Sequence, residues 1–120
     1  MRTAEVYYEK TLAGTLIETE EGYTFAYDRD YLAMKEPEPV SLLLPLSAEP
    51  YHSPVMFSFF DGLIPEGWML HIAEQNWKLN ERDRMGLLLN CCRDCIGAVS
   101  IRDPGQESVR SQEGAQESRP

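Results

Sequence analysis

The stretch GTLIETEEGYTFAYD, residues 14–28, decides the fold. Tyr23, Phe25 and Tyr27 recur at every second position, the repeat of a strand that buries one face. The residues from Gly14 cluster β-formers, and Glu21-Gly22 supplies a turn between the two runs. Upstream, AEVYYEK over residues 4–10 reads as a further strand, with Ala13-Gly14 as the turn that follows it. Three short strands with tight connections make an antiparallel meander.

Working outward, a fourth apolar run, SLLLPL at residues 41–46, follows the rigid EPEP segment. Pro45 cannot donate to a ladder, which demotes this run to an edge or irregular strand. The period then changes. Ser53 is placed as an N-cap with Pro54 at the first helical position, and Gly62 as the stop, giving a Phe-rich helix over Pro54 to Asp61. Pro65 opens a second helix running to about Lys78, with Glu66 complementing its dipole. Asn80 caps a third, with Asp83 standing in for the Glu of a capping box. IGAVSI, residues 96–101, closes the order as a strand. The fold class is α+β: a small antiparallel sheet of about four to six strands with three short helices.

The chain has 120 residues, 42% of them hydrophobic, with six Tyr, four Phe and two Trp, which suits one folded domain. That domain is expected over residues 1–102, followed by a disordered polar tail at 103–120 whose one branched apolar residue is Val109. The formal net charge is −9. Four acids and two arginines put −2 of it on the tail, so −7 belongs to the domain. That balance argues against direct nucleic-acid binding, which needs clustered Lys and Arg. No apolar run is long enough to span a membrane, and the N-terminus lacks a secretory h-region. The three cysteines, Cys91, Cys92 and Cys95, do not form a disulfide framework, so a reducing cytoplasm is the expected setting.

Two features could carry function. Cys92-Arg93-Asp94-Cys95 matches C-x-x-C, but a structural zinc needs four ligands and His52 and His71 are distant in sequence. A thioredoxin-type pair would open a helix, whereas this one ends a helix. Small buried cysteines on a core helix are the simpler account. Asp61 and Glu66 flank the Gly-Leu-Ile-Pro turn and could pair, or cap helix ends facing solvent. No nucleotide-binding or hydrolase motif occurs, and no catalytic, metal or cofactor site is expected.

The second feature is Trp68. On a wheel of about 100° per residue, Met69, Leu70, Ala73 and Trp77 share an arc flanked by Ile72. Trp68 falls away from it, near Gln75, His71 and Lys78. Two readings stand. Trp68 folds back over the loop from Asp61 to Ile64, or it is an exposed anchor for a partner.

The order of elements resembles the N-terminal subdomain of HipA-type toxin kinases over roughly Glu5 to Arg102. The matching stretches are GTLIETEEGYTFAYDRDYL, VSLLLPL, VMFSFFDGLIPEGW and DRMGLLLNCCRDCIGAVSI. Cys92 departs from the glycine that the family usually places before Arg-Asp. The kinase machinery of such proteins lies outside this subdomain, so Ser/Thr phosphorylation is not expected here. The chain is similar to the HipS-type proteins of HipBST toxin–antitoxin systems. That resemblance implies an antitoxin acting on a HipT-type kinase, with a HipB-type helix-turn-helix protein as the DNA-binding member of a ternary complex. It implies a docking face at the Asp61–Met69 turn, where Trp68 would enter the kinase cleft. Ile64, Pro65, Glu66 and Gly67 would shape its base, with His71 beside it. The competing readings are a non-inhibitory scaffold joining the kinase to a HipB-type partner, and a small cysteine-dependent redox or metal protein.

Overall fold

Alternation of apolar side chains along the first strands leaves one sheet face to be covered, and the rest of the chain covers it. The computed structural model describes residues 2–68, 81–92 and 98–104. Among these residues five strands, β1 (Thr3–Tyr8), β2 (Thr11–Thr19), β3 (Gly22–Tyr27), β4 (Tyr51–Ser53) and β5 (Val99–Arg102), form one sheet in the order β4-β3-β2-β1-β5. Every described pairing is antiparallel. Among the described residues, three short helices accompany it: α1 (Arg29–Leu32), α2 (Ser58–Asp61) and α3 (Arg84–Cys91). This is the expected α+β class.

The expected alternation on β3 holds, with Phe25 and Tyr27 buried and Tyr23 packed at the margin of the core. Ala4 and Val6 of β1, Leu16 of β2, and Val99 and Ile101 of β5 join them. Helix α3 lays Met85, Leu88, Leu89 and Cys92 over the sheet at the i, i+3, i+4, i+7 spacing of a buried stripe. Helix α2 is one turn long and too short to persist alone, so packing holds it. Its Phe60 ring lies 5.3 Å from Phe25 and 5.2 Å from Phe59.

Four local expectations are corrected. Ala13-Gly14 is not a turn. The chain reverses at Glu9-Lys10, with Glu9 at φ 56°, and Ala13 is the extra residue of a bulge between Val6↔Gly14 and Tyr7↔Leu12. Both residues are buried, and a Cβ on Gly14 would lie 2.5 Å from the Ala26 carbonyl oxygen, so the glycine marks close strand approach. SLLLPL forms no strand. Ser41 to Leu44 is a tight turn, and the strand at the β3 edge of the sheet is β4. Ser53 does not cap a helix at Pro54, because it ends β4 and pairs there with Tyr23 of β3, while its hydroxyl accepts from the Val55 amide. Helix α2 therefore begins at Ser58 and ends at Gly62, the expected stop. Asp83 is itself the cap of α3, its carboxylate accepting from the Gly86 amide at 3.1 Å. Helix α1, capped by Asp28, carries no expectation from the sequence reading.

Beyond Trp68, the expected second helix with Met69, Leu70, His71, Ile72, Ala73, Gln75, Trp77 and Lys78 lies outside the described residues. So do the Asn80 cap, Cys95, Gly97 and most of the expected tail.

Candidate partner-binding site

The segment from Asp61 to Trp68 leaves α2 as a sequence of overlapping turns. Leu63 and Ile64 donate to the carbonyls of Phe60 and Asp61 at 3.0 and 3.3 Å, and Trp68 donates to Pro65 at 3.2 Å. Their side chains divide. Leu63 and Ile64 pack against the core, whereas Pro65, Glu66 and Gly67 are exposed and Trp68 is half-buried. Proline and glycine on either side of Glu66 fit this path, one by fixing φ and the other by adding no side chain.

Helix α3 fixes the base of the segment from two directions. The Arg84 guanidinium donates through Nε to Asp61 Oδ1 at 2.6 Å and through a second nitrogen to the Glu81 carbonyl at 2.7 Å. The Cys92 thiol donates to the Leu63 carbonyl at 3.2 Å. Asp61 thus pairs with Arg84 and not with Glu66, which leaves Glu66 at the surface. Cys92 is a buried core residue whose sulfur serves this backbone contact.

A second ionic cluster sets where α3 starts. Arg2 grips Glu18 of β2 through two bonds of 2.9 and 3.0 Å and reaches Asp83, the α3 cap, at 2.6 and 3.2 Å. Bidentate geometry makes these the stronger kind of charged hydrogen bond. The Arg2 hydrogen bonds hold the Glu18 and Asp83 carboxyls below the usual carboxylate range, against the opposing effect of burial. The two carboxylates raise the Arg2 pKa in return.

Of the residues expected at the docking face, Ile64, Pro65, Glu66, Gly67 and Trp68 share this one turn, and His71 lies outside the described residues. Sequence reasoning missed Arg84, Arg2 and Glu18. Each acts through a partner at least 16 positions away, and no local spacing rule signals such a pair.

Among the described residues, a five-stranded antiparallel sheet carrying a braced turn that reaches the surface defines a small α+β domain. The chain belongs to the HipA N-terminal domain family, which matches residues 4–102. An uncharacterized protein of Haemophilus influenzae strain Rd is 33% identical over 106 residues, covering 88% of this chain and 96% of that protein. Among solved structures, the N-terminal domain of HipA toxin superposes with a TM-score of 0.65 at 29% identity, covering 85% of this chain and 92% of that one. The end of α2 and the turn after it carry the FFDGLIPEG stretch, residues 59–67.

Proposed function

We propose that this chain is a HipS-type antitoxin, a non-catalytic cytoplasmic protein that binds a HipT-type Ser/Thr kinase toxin in trans and inhibits it. The observation that carries this reading is the turn after α2. Its base is tied to α3 through Asp61–Arg84 and Leu63–Cys92, while Pro65, Glu66 and Gly67 stand in solvent. A turn already ordered before binding forfeits less conformational entropy on docking, so more of the contact energy remains as affinity. Trp68 is the wedge of that site, with Ile64, Pro65 and Gly67 around it, and His71 is a further residue assigned to partner contact. Glu66 supplies a carboxylate for a basic residue lining the kinase cleft. Filling the cleft blocks productive binding of nucleotide or substrate. Family membership supports the reading, since the match is to the N-terminal domain and not to the kinase domain. A HipB-type DNA-binding protein would complete the complex.

Removal of an aromatic anchor costs upwards of about 2 kcal/mol, or roughly thirtyfold in affinity. Trp68→Ala should therefore fold and melt as the wild type does, yet fail to rescue growth when co-expressed with the kinase. A melting temperature lowered by tens of degrees would make Trp68 a core residue and end the wedge reading. Wild-type protein that binds the kinase without rescuing growth would favour the scaffold role.

A further inference from the structure

Leu42 and Leu43 occupy the two central positions of the turn from Ser41 to Leu44, with 92% and 69% of their surfaces exposed. Such positions ordinarily hold Gly, Pro, Asn, Asp or Ser, and nothing in the turn's backbone requires leucine. Val55, also 67% exposed, shares a surface groove with Leu43, Phe57 and Phe59. Single exposed apolar residues are ordinary, but a group of them sharing a groove marks an interaction surface.

The turn is also held firmly. Buried Tyr27 accepts from the Val40 amide at 3.1 Å and donates to the Leu44 carbonyl, closing the base of the turn between two core residues. The Leu44 amide bonds the Ser41 carbonyl, and the Leu43 amide bonds the Ser41 hydroxyl, each at 3.0 Å. The two leucines are thus displayed from a fixed base.

The charges of this stretch of chain choose among occupants. Residues 36–60 contain three carboxylates, Glu36, Glu38 and Glu49, all exposed, and no Lys or Arg. A second copy of this chain would bring the same carboxylates and a net charge of −9 against it, which opposes self-association. The complementary occupant is apolar at its centre and basic at its edge. The groove borders α2 through Phe57 and Phe59, and α2 leads directly into the Asp61–Trp68 turn. One turn of helix is only about 6 Å long, so a partner seated on that turn reaches the groove as well.

We propose that the Leu42-Leu43 turn and the Val55 groove form a second docking surface, which receives an apolar, Lys- or Arg-flanked segment of the same partner kinase. It rests on the antitoxin reading, and it makes attachment two-point. Trp68 blocks the cleft, and the leucine turn holds the domain in place.

The test measures affinity of full-length protein for a purified HipT-type kinase from the same genome by calorimetry, comparing wild type, Trp68→Ala and Leu43→Ser/Val55→Ser. The expected result is at least a tenfold weaker Kd for the double variant, with an unchanged melting temperature and a wild-type affinity that falls as salt rises. Leu42→Ser, at a side chain almost fully in solvent, repeats the measurement if the double variant loses stability. Wild-type affinity in the groove variants beside a weakened Trp68→Ala would overturn this proposal and leave the antitoxin reading standing. No binding by the wild-type protein would remove both. A wild-type dimer in sedimentation velocity that the groove substitutions convert to monomer would reassign the surface to self-association.

Discussion

Asp83 has two separable jobs, and two substitutions distinguish them. Its carboxylate caps α3 by accepting from the Gly86 amide, and it accepts from Arg2, which also holds Glu18. Loss of an N-cap costs about 1 kcal/mol. The ion pair is partly exposed, with side-chain exposures of 42% for Arg2 and 26% for Asp83, so solvent screening limits it to about 0.5 kcal/mol. Asp83→Ala removes both, a loss of about 1.5 kcal/mol, or roughly 6–12 °C in Tm for a domain near 100 residues. Asp83→Asn keeps a good capping oxygen and removes only the charge, so it should lose about a third as much, roughly 0.5 kcal/mol.

The pH dependence supplies a second readout. Arg2 holds both carboxyls below their ordinary values of 4.5 for Glu18 and 3.8 for Asp83. A carboxyl depressed in the folded state contributes its stability in full above the unfolded pKa and loses it as pH falls through the folded one. Wild-type stability from this cluster is therefore flat from neutral pH down to about 5 and declines below that. In Asp83→Asn the decline should be shallower, because only Glu18 remains to be protonated. Thermal melts by circular dichroism from pH 3 to 7 measure both effects. Equal losses for Asn and Ala at pH 7 would refute the capping role, and an unchanged acid slope in both variants would refute the ion pair.

Two further outcomes concern the scaffold. Phe60→Ala empties the centre of the aromatic cluster under a fully buried ring, and should cost about 3–5 kcal/mol in a denaturant titration. A loss under about 1 kcal/mol would mean that α2 does not depend on that contact. Gly14→Ala forces a methyl to within 2.5 Å of the Ala26 carbonyl and 2.9 Å of the Phe25 ring, so it should destabilise by about 1–3 kcal/mol although alanine suits strands better than glycine. A neutral result would show that β2 and β3 can separate at the bulge.

Much of the architecture was legible because it rests on local rules. The two-residue period of Tyr23, Phe25 and Tyr27, the Gly62 stop and the closing apolar strand each reflect steric or burial preferences that act within a few positions. The misreadings share a cause. Ala13-Gly14 has the composition of a turn, but the pair lies in a bulge where Ala26 and Phe25 leave no room for a larger residue at Gly14. Ser53-Pro54 has the composition of a helix start, but pairing with Tyr23 claims Ser53 for the sheet. In both, a strand distant in sequence overrode the local signal.

The same division runs through the candidate site. From the sequence alone came the domain class and the turn between Gly62 and Trp68, because proline and glycine act locally. Only the tertiary structure could brace that turn, since Asp61 meets Arg84 across 23 positions and Leu63 meets Cys92 across 29. It alone could also divide the three consecutive leucines of SLLLPL into one buried anchor, Leu44, and two exposed residues, Leu42 and Leu43, by closing Tyr27 onto the base of their turn. Periodicity records which residues share a face. Which distant groups meet there depends on how the chain closes, and that pairing left one apolar run half in the core and half at the surface.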